Sequence, residues 1–404
     1  QFPAFVNLQQ YYAEAYLLAR VQALPNIELR WHNSVTAVTQ TKEQVRLTVN
    51  TPEGGYQLNV DYVLACDGSR STVRKAMGLA SEGRVFQDRF LIADVVLDPE
   101  AAKHFPSERW FWFDPEFHRD QSVLLHRQPD GVWRIDFQLG WDADPELEKQ
   151  ETRIRPRVDA MMRAALGHTI AFTLQWASVY TFACMRMDKF MHGRVLFAGD
   201  AAHGVSPFGA RGANSGVQDA DNLGWKLDAV LKGKADVRLL RSYGEEREFA
   251  ADVNIGHSSR ATDFLTPKNA MSQVFRNACL SLARQHDFAR KLINTGRLST
   301  ATVMPHASLN TPDEDHWQCP QQLGMPALDA PWKDTWLLRH LHSCNEFTVL
   351  VYDEKHDTQG LFKSRYDASA GATYLFRPDQ HLCARWRTYD ASKIEAAIHR
   401  ALAR

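Results

Sequence analysis

The residues best suited to chemistry lie in one stretch, GRVLFAGDAAHGVSPFGARGANSGVQDADNLGWKL, which covers residues 193–227. A short apolar run at residues 194–198 predicts a buried strand, and Gly199 and Asp200 follow at its carboxyl end. Ligands of α/β sheets bind beyond the carboxyl ends of the strands. A carboxylate at such a position offers two strong acceptors, which suit a pair of sugar hydroxyls.

A loop of small residues comes next and contains Pro207, Gly209, Gly212 and Gly216. Because glycine has no Cβ, its backbone can approach a flat ligand closely. The helix predicted to begin near Asn214 directs free N–H groups and a partial positive charge at this loop, which stabilises an anion developing on a bound cofactor. Any one glycine alone indicates only a turn. The order of strand, aspartate, loop and helix favours a ligand site.

A second stretch with similar logic is DYVLACDGSRSTVRKAMGL, at residues 61–79. A predicted buried strand at residues 62–65 is followed by Asp67 and Gly68, and Arg74 comes about one helical turn later. A guanidinium in that place suits a phosphate. Alone this pattern is usually a turn, but it stands about 130 residues ahead of the first stretch. The pair together predicts a cofactor site.

These two stretches resemble the FAD motifs of flavoprotein aromatic hydroxylases, the para-hydroxybenzoate hydroxylase family of class A flavoprotein monooxygenases. The resemblance implies that Asp200, after Gly199, binds the ribityl chain. It also implies that the isoalloxazine ring lies against the loop and helix start made by Pro207, Gly209, Arg211, Gly212, Ala213 and Asn214. The second motif, with Asp67, Gly68, Ser71 and Arg74, is implied to contact the pyrophosphate and to influence nicotinamide binding.

Two further residues depart from or extend this resemblance. Gln10 and Glu14 resemble the family pattern Q-x-x-L-E with Ala13 in place of leucine, which implies that Gln10 lies near FAD. Taken by itself, Gln10 indicates a helix-surface residue. Arg211 stands where relatives often carry glutamine. It would adjust the flavin potential, bind an acidic substrate or point into solvent.

The resemblance implies an enzyme in which NAD(P)H reduces FAD and a flavin C4a-hydroperoxide hydroxylates a small phenolic substrate with oxygen from O2. The protein would orient the ring, stabilise charge and exclude water. No catalytic side chain is therefore predicted, and His203 is interpreted as structural. The alternatives are epoxidation or another flavin oxidoreduction on the same fold, and an inactive fragment that acts only as a binding protein.

The predicted fold class is α/β, with an incomplete Rossmann-like FAD-binding domain, an inserted β-sheet substrate domain and a C-terminal thioredoxin-like domain. The expected limits are residues 1–89 and 191–303 for the two parts of the FAD-binding domain, 90–190 for the substrate domain, and 304–404 for the linker and last domain. No G-x-G-x-x-G occurs, so we expect a family member that lacks its N-terminal cofactor segment. YLFRPDQHLCARW resembles the thioredoxin-like domain of the phenol and hydroxyphenylpropionate hydroxylase branch. Without a CxxC pair it should not perform thiol redox chemistry.

Periodicity predicts the elements that position these motifs. A helix with one apolar face is expected at residues 8–24, followed by strands at IELRW, SVTAVTQ, QVRLTVN and YQLNVDYVLAC, with a hairpin turn at TPEGG. Residues 90–182 are mostly β in pattern, with one helix near 158–166. Long helices are expected at 245–264 and 269–294, a linker at 304–332, and a small α/β unit after it.

Composition limits the classes of protein that this chain can be. Its 404 residues are 44% hydrophobic and 24% charged with a formal net charge of −1, which is ordinary for a soluble globular protein and does not favour nucleic acid or an anionic membrane as a partner. No apolar run reaches the ~18–20 residues of a membrane span. Six scattered cysteines indicate reduced thiols in the cytoplasm. His340, His342 and Cys344 lack the further ligand that a metal site needs, so no metal is predicted. A homodimer is left open.

Overall fold

The computed structural model describes residues 6–293, 299–342 and 346–404. Its helices are α1 (Gln10–Gln22), α2 (Thr72–Ala76), α3 (Pro99–Ala102), α4 (Pro145–Glu148), α5 (Glu151–Leu166), α6 (Gly212–Leu231), α7 (Leu239–Leu265), α8 (Ala270–Ala283), α9 (Asp287–Ile293), α10 (Leu337–His342), α11 (Leu361–Tyr366) and α12 (Ala391–Ala401). Its strands are β1 (Ser34–Gln40), β2 (Val45–Thr51), β3 (Gly54–Val60), β4 (Val63–Ala65), β5 (Ser81–Leu97), β6 (Trp110–Phe113), β7 (Ser122–Arg127), β8 (Val132–Leu139), β9 (Phe172–Met187), β10 (Met191–His192), β11 (Val195–Phe197), β12 (His203–Gly204), β13 (Pro331–Trp332), β14 (Thr335–Trp336), β15 (Thr348–Val351), β16 (Thr373–Phe376) and β17 (Leu382–Trp386).

Two small sheets carry the motif-bearing strands. One is the antiparallel sheet β1-β2-β3, in which the predicted TPEGG turn joins β2 to β3. The other has the order β10-β11-β4, and β11 runs parallel to β4 with Phe197 opposite Ala65. Because parallel strands end at the same edge of a sheet, Asp67 and Asp200 follow strands that finish side by side. Buried residues of both sheets pack with Leu223 of α6 and Tyr243 of α7 in one core.

The β-rich part is a six-stranded sheet in the order β12-β9-β5-β8-β7-β6. Successive side chains of each strand point to opposite faces, so that every strand contributes side chains to both faces of the sheet. One face packs against Ile154, Val158 and Met161 of α5 and forms a separate buried core. We call the opposite face, which lies towards α7 and residues 205–211, the loop-side face.

The last part of the chain is a small sheet, β15-β16-β17, with α10, α11 and α12 around it. The predicted order of strand, hairpin and helix is present there. A buried ion-pair network joins this part to the long helices, because Arg377, between β16 and β17, contacts Glu246 of α7. Lys226 of α6 donates to the same carboxylate over 2.8 Å.

Several element predictions need correction. The segment IELRW is not a strand: no neighbouring strand among the described residues pairs with it, and Trp31 is 66% exposed. The strand at 62–65 is shorter and less buried than predicted. β4 pairs on one side only among the described residues, and its Leu64 is 43% exposed.

The helix predictions were right in place but wrong at their ends. The helix near 158–166 begins at Glu151, and the helix near Asn214 begins at Gly212. The helix predicted at 269–294 divides into α8 and α9, and its last residue lies outside the described residues. α1 forms as expected, yet none of its residues is buried, so its apolar face covers no core within the described chain. None of the described helices combines the length and apolar character needed to cross a bilayer.

Candidate cofactor and substrate site

Asp200 lies where the first motif predicts, immediately after β11. Residues Gly199–Ala201 form a single turn of 3-10 helix, and Gly199 has φ of 58°, a conformation that favours glycine. The Gly199 N–H is held by Asp219 of α6, over 2.9 Å to Oδ2. The Asp200 side chain itself is exposed and has no partner among the described residues. Its two carboxylate oxygens are therefore available to a ligand.

The loop of small residues is a tight turn followed by a helix start. The Ala210 N–H donates to the carbonyl of Pro207 over 3.0 Å, and Gly209 has φ of 101° at the third position of that turn. This is the geometry of a turn that needs glycine there. The Asn214 side chain donates to the Ala210 carbonyl over 2.6 Å and fixes the turn against α6.

Helix α6 begins directly behind this turn. Arg211 occupies the N-cap position and its side chain makes no capping bond. The first N–H groups of a helix have no acceptor inside the helix, so those of Gly212 and Ala213 remain available at the positive end of the helix dipole. A Cβ added at Gly216 would lie 3.5 Å from the Gly199 Cα. The start of α6 therefore packs closely against the turn that carries Asp200.

A buried ion-pair network between α6, α7 and His203 holds the turn that carries Asp200. Asp219 accepts from His203 over 2.7 Å and from the Arg247 Nε over 2.6 Å, and all three side chains are buried. Desolvation alone would raise the pKa of Asp219, but the hydrogen bond and charge of His203 and the charge of Arg247 outweigh it and hold that pKa below its usual value. His203 is therefore a buried part of the support, in agreement with its structural interpretation.

The second motif is tied to the first through Arg74. Asp67 caps α2 by accepting the Val73 N–H over 3.0 Å, and Gly68 has φ of 80°. The Arg74 guanidinium donates to the carbonyl of Ala201 over 2.7 Å and to that of Ser69 over 2.6 Å. The structure thus brings the two motifs together, with Arg74 bridging their backbones. Contact of Arg74 with a phosphate stays a prediction.

Gln10 lies on the exposed surface of α1. Its side chain donates to Glu14 over 2.7 Å on the same helix. The start of α1 reaches the β7–β8 turn, where Tyr12 donates to Asp130 over 2.8 Å and the Asn7 side chain donates to the Arg127 carbonyl over 2.7 Å. This contact holds the start of α1 at the end of the six-stranded sheet where β7 turns into β8. A role of Gln10 towards FAD stays a prediction.

Aromatic residues join the small-residue loop to the six-stranded sheet. Phe208, in the loop, packs edge-on against Phe90 and Phe182, with ring centroids 5.3 and 5.5 Å away. Leu124 of β7 and Leu265 of α7 belong to the same buried cluster. The loop that carries the first motif is therefore anchored on the loop-side face, and this face is the wall that a molecule beside the loop would meet.

The sequence analysis missed a polar group on this wall. Arg134 and Asp136 alternate along β8 and project to the loop-side face, and His126 lies on β7 opposite Arg134. Arg134 is held by Asp94 of β5 in a two-bond ion pair of 2.8 Å each. The spacing of two between Arg134, Asp136 and Gln138 in VWRIDFQL is the signal that could have found them, because these positions share a face.

A second polar feature is a group of cations next to the small-residue loop. Arg211 is half-buried, and burial together with the charge of Arg260 lowers its pKa. Arg260 lies 3.0 Å from the His257 ring on α7. Among the described residues Arg211 has no acidic partner. The role of Arg211 stays a prediction.

The described residues contain no group of three potential metal ligands. Cys344, in the H-x-H-x-C pattern, lies outside the described residues. Cys383 is buried, and burial raises the pKa of its thiol to about 12.

Comparison with a model of a known family agrees with this geometry. Residues 1–257 match the family described as FAD binding domain. That span is more than half of the 404 residues, so the chain belongs to this FAD binding domain family of class A flavoprotein monooxygenases.

Among proteins of known activity, the chain is 31% identical over 265 residues to the 3-(3-hydroxy-phenyl)propionate/3-hydroxycinnamic acid hydroxylase of Mycolicibacterium smegmatis. This match covers 65% of the chain and 45% of the relative. It is 30% identical over 247 residues to the para-nitrophenol 4-monooxygenase of Pseudomonas sp. (strain WBC-3), covering 61% of the chain and 59% of that enzyme. The chain thus spans about half the length of the curated relatives it matches.

Among solved structures, the chain is similar to the flavin-dependent monooxygenase PieE in complex with FAD and substrate. The TM-score is 0.76 at 20% identity, over 98% of this chain and 80% of that one. At this identity the similarity shows the fold alone. It confirms a mixed α/β fold of the FAD-dependent monooxygenase type over nearly the whole described chain.

Proposed function

We propose that this chain acts as an FAD-dependent monooxygenase that hydroxylates a small phenolic substrate with NAD(P)H and O2. The observation that carries the proposal is the meeting of three features at one place. The partnerless Asp200 carboxylate, the turn at Pro207–Gly209 and the start of α6 lie together, and Phe208 anchors them on the loop-side face.

The residues present fit the flavin and ribityl parts of FAD. The Asp200 carboxylate would accept two ribityl hydroxyls, since nothing else in the described chain occupies it. The glycine turn presents backbone without a Cβ to a flat ring. The N–H groups of Gly212 and Ala213 would stabilise negative charge at the ring edge. Bound FAD would supply the redox chemistry that activates O2.

The loop-side face supports an aromatic substrate. Trp176 and Tyr180 of β9 lie on it and are 41% and 43% exposed. They can stack on a ring and keep water away from it. The compounds for which the two relatives are named, a hydroxyphenylpropionate and a nitrophenol, are both phenols. This agreement supports a phenol as the substrate class and the hydroxyphenylpropionate hydroxylase branch as the subgroup.

The proposed function is tested by supplying the chain with FAD, NADPH or NADH, and a series of phenols under air. We expect phenols to accelerate oxidation of the nicotinamide and to gain one oxygen ortho or para to the hydroxyl, as measured by mass spectrometry with ¹⁸O-labelled O2. Epoxidation of alkenes without turnover of any phenol would contradict the proposal. FAD binding without oxidation of either nicotinamide, in any expressed form that includes this chain, would instead support a binding protein.

A further inference from the structure

Two buried polar atoms on the loop-side face lack a hydrogen-bond partner. They are Asp136 Oδ1 on β8 and His126 Nδ1 on β7, and both are shielded from solvent. Buried polar groups in folded proteins are nearly always paired, because an unpaired one costs free energy. Two such atoms on neighbouring strands indicate a place that a ligand completes.

The register of the sheet places these atoms next to the loop. Asp136 lies opposite Leu124 of β7, and cross-strand neighbours are about 5 Å apart. Leu124 packs in the same cluster as Phe208 of the loop. His126 lies two residues beyond Leu124 on the same face, about 7 Å further along the strand. A ring held beside Phe208 would therefore bring its substituents to Asp136 and His126.

An ordinary ion pair does not explain Asp136. The nearest cation on its own strand, Arg134, is already engaged by both carboxylate oxygens of Asp94. Arg109, which precedes β6, influences Asp136 by its charge but makes no bond to it. The negative charge of Asp136 is thus surrounded by two cations and one anion without being bonded to any of them.

The surroundings also set the protonation of both groups. Burial raises the pKa of Asp136 to about 7, with Asp94 adding to the effect and the charges of Arg134 and Arg109 opposing it. Burial, with the charges of Arg109 and Arg134, lowers the pKa of His126 to about 3. His126 is therefore a neutral imidazole at working pH, and Asp136 is a carboxyl that exchanges its proton near neutrality.

We propose that Asp136 accepts the hydroxyl proton of a phenol bound on the loop-side face, and that the neutral His126 positions the phenol oxygen. The inference rests on the proposed function, since it names the residues that meet the substrate. In this step the phenol O–H bond breaks, an O–H bond forms on Asp136 Oδ1, and no electron is transferred. The negative charge moves from the carboxylate to the phenolate, where Arg134 and Arg109 attract it.

The chemistry of the pair suits this transfer. The pKa of a phenol, taken as that of the tyrosine side chain, is about 10. It exceeds the pKa of an ordinary aspartate by about six, but it exceeds the pKa of a carboxyl at about 7 by only about three. General bases work best when their pKa approaches the operating pH. Phenolate formation also makes the ring richer in electrons, as its hydroxylation requires.

The test compares the binding of phenol with that of anisole, which has similar size but no acidic proton. Calorimetric titration of the full chain, with FAD present, is made between pH 5 and pH 9, a range in which free phenol stays neutral. We expect phenol affinity to rise at least tenfold as Asp136 ionises. Anisole affinity should not change with pH.

In Asp136→Asn the phenol profile should become flat at the low-pH value while anisole binding is unchanged. The matched control is Asp159→Asn. Asp159 belongs to α5, which packs on the face of the sheet opposite the loop-side face, so this variant should keep the wild-type pH profile. His126→Gln should lower the affinity for phenol most at high pH, where the oxygen carries charge, and should lower that for anisole less. Thermal unfolding of each variant shows that it is folded, and removal of an unpaired buried carboxylate should not destabilise Asp136→Asn.

Three results would overturn the inference. The first is a pH profile for phenol that persists in Asp136→Asn, and the second is an equal loss of phenol and anisole binding in that variant. If either occurs while phenol is still hydroxylated, the inference fails and the proposed function stands. The third is the absence of binding of both ligands to the wild-type chain, which would remove the inference and the phenolic substrate class together.

Discussion

Replacing Glu246 of α7 by glutamine is expected to weaken the attachment of the C-terminal part to the long helices. Glu246 is buried and accepts hydrogen bonds from Asn222 over 2.7 Å and from Lys226 over 2.8 Å. The Arg377 guanidinium also donates to it, at 3.1 Å for the longer contact. Glutamine keeps the shape of the side chain but removes its charge, and it turns an amide N–H2 towards these donors.

The size of the effect follows from the pKa of Glu246. Desolvation would raise this pKa, but the charges of Arg377 and Lys226 outweigh it and lower the value from 4.5 to about 2. This lowering of the Glu246 pKa by about 2.5 on folding corresponds to about 3 kcal/mol in the free energy of unfolding. Loss of one partner from a buried ion pair typically costs a similar amount.

The sign of the pH dependence is fixed by the direction of that shift. Because the folded-state pKa is depressed, the contribution of Glu246 is fully present above about pH 4.5 and is lost as the pH falls towards about 2. The free energy of unfolding of Glu246→Gln should therefore lie about 3 kcal/mol below wild type at pH 7 and only about 1 kcal/mol below it at pH 3.

Urea unfolding followed by circular dichroism at both pH values measures this difference. Glu245→Gln is the matched control, since Glu245 is the exposed neighbour and has the same charge. Among the described residues it accepts a hydrogen bond from Ser308 alone, over 2.9 Å. We expect that variant to stay within about 0.5 kcal/mol of wild type. Equal effects of the two substitutions, or a Glu246→Gln difference that is the same at pH 3 and pH 7, would refute the reasoning.

Three other predictions concern the site and the C-terminal part. Asp200→Ala should lower FAD affinity at least tenfold in a titration, because two hydrogen bonds to a charged group, of about 1.5–3 kcal/mol each, are lost; Asp188→Ala is the control, and an unchanged affinity for Asp200→Ala would sink the assignment. Arg211→Gln should weaken calorimetric binding of 3-(3-hydroxyphenyl)propionate but not of the uncharged 3-ethylphenol, since Arg211 has no acidic partner among the described residues; equal losses would contradict a carboxylate contact. The buried Cys383 thiol, with its pKa of about 12, should resist alkylation in the folded protein, and Cys383→Ser should leave NAD(P)H oxidation intact unless the thiol takes part in turnover.

The motifs that local sequence could specify were predicted well. Residues 199–214 form the expected strand end, turn and helix start, because each step depends on neighbours in the chain: an apolar run, a glycine at positive φ and a helix that starts behind it. The strands SVTAVTQ and VWRIDFQL have the predicted limits, and in VWRIDFQL the alternation of apolar and polar residues is strong. Membership of the FAD binding domain family follows from these local patterns.

The sequence analysis did not predict which segments far apart in the chain pair or pack with one another. Strand propensity in IELRW was not enough without a neighbouring strand to pair with. The apolar face of α1 is clear in the sequence, yet the described chain provides no surface that buries it. A single sequence shows that a residue can pair or pack, whereas its partner is set by the fold.

The sequence by itself determined the family, and it located the two motifs that are predicted to bind FAD, with Asp200 and Gly209 in the first of them. Only the tertiary structure decided what surrounds them. It placed Arg74 against the backbone of the first motif, Arg377 against Glu246, and Asp136 on the strand next to His126. Arg377 and Glu246 are 131 positions apart in the chain. The physical reason is that turn geometry and helix capping depend on a few consecutive residues, while burial and charge environment depend on groups that only folding brings together.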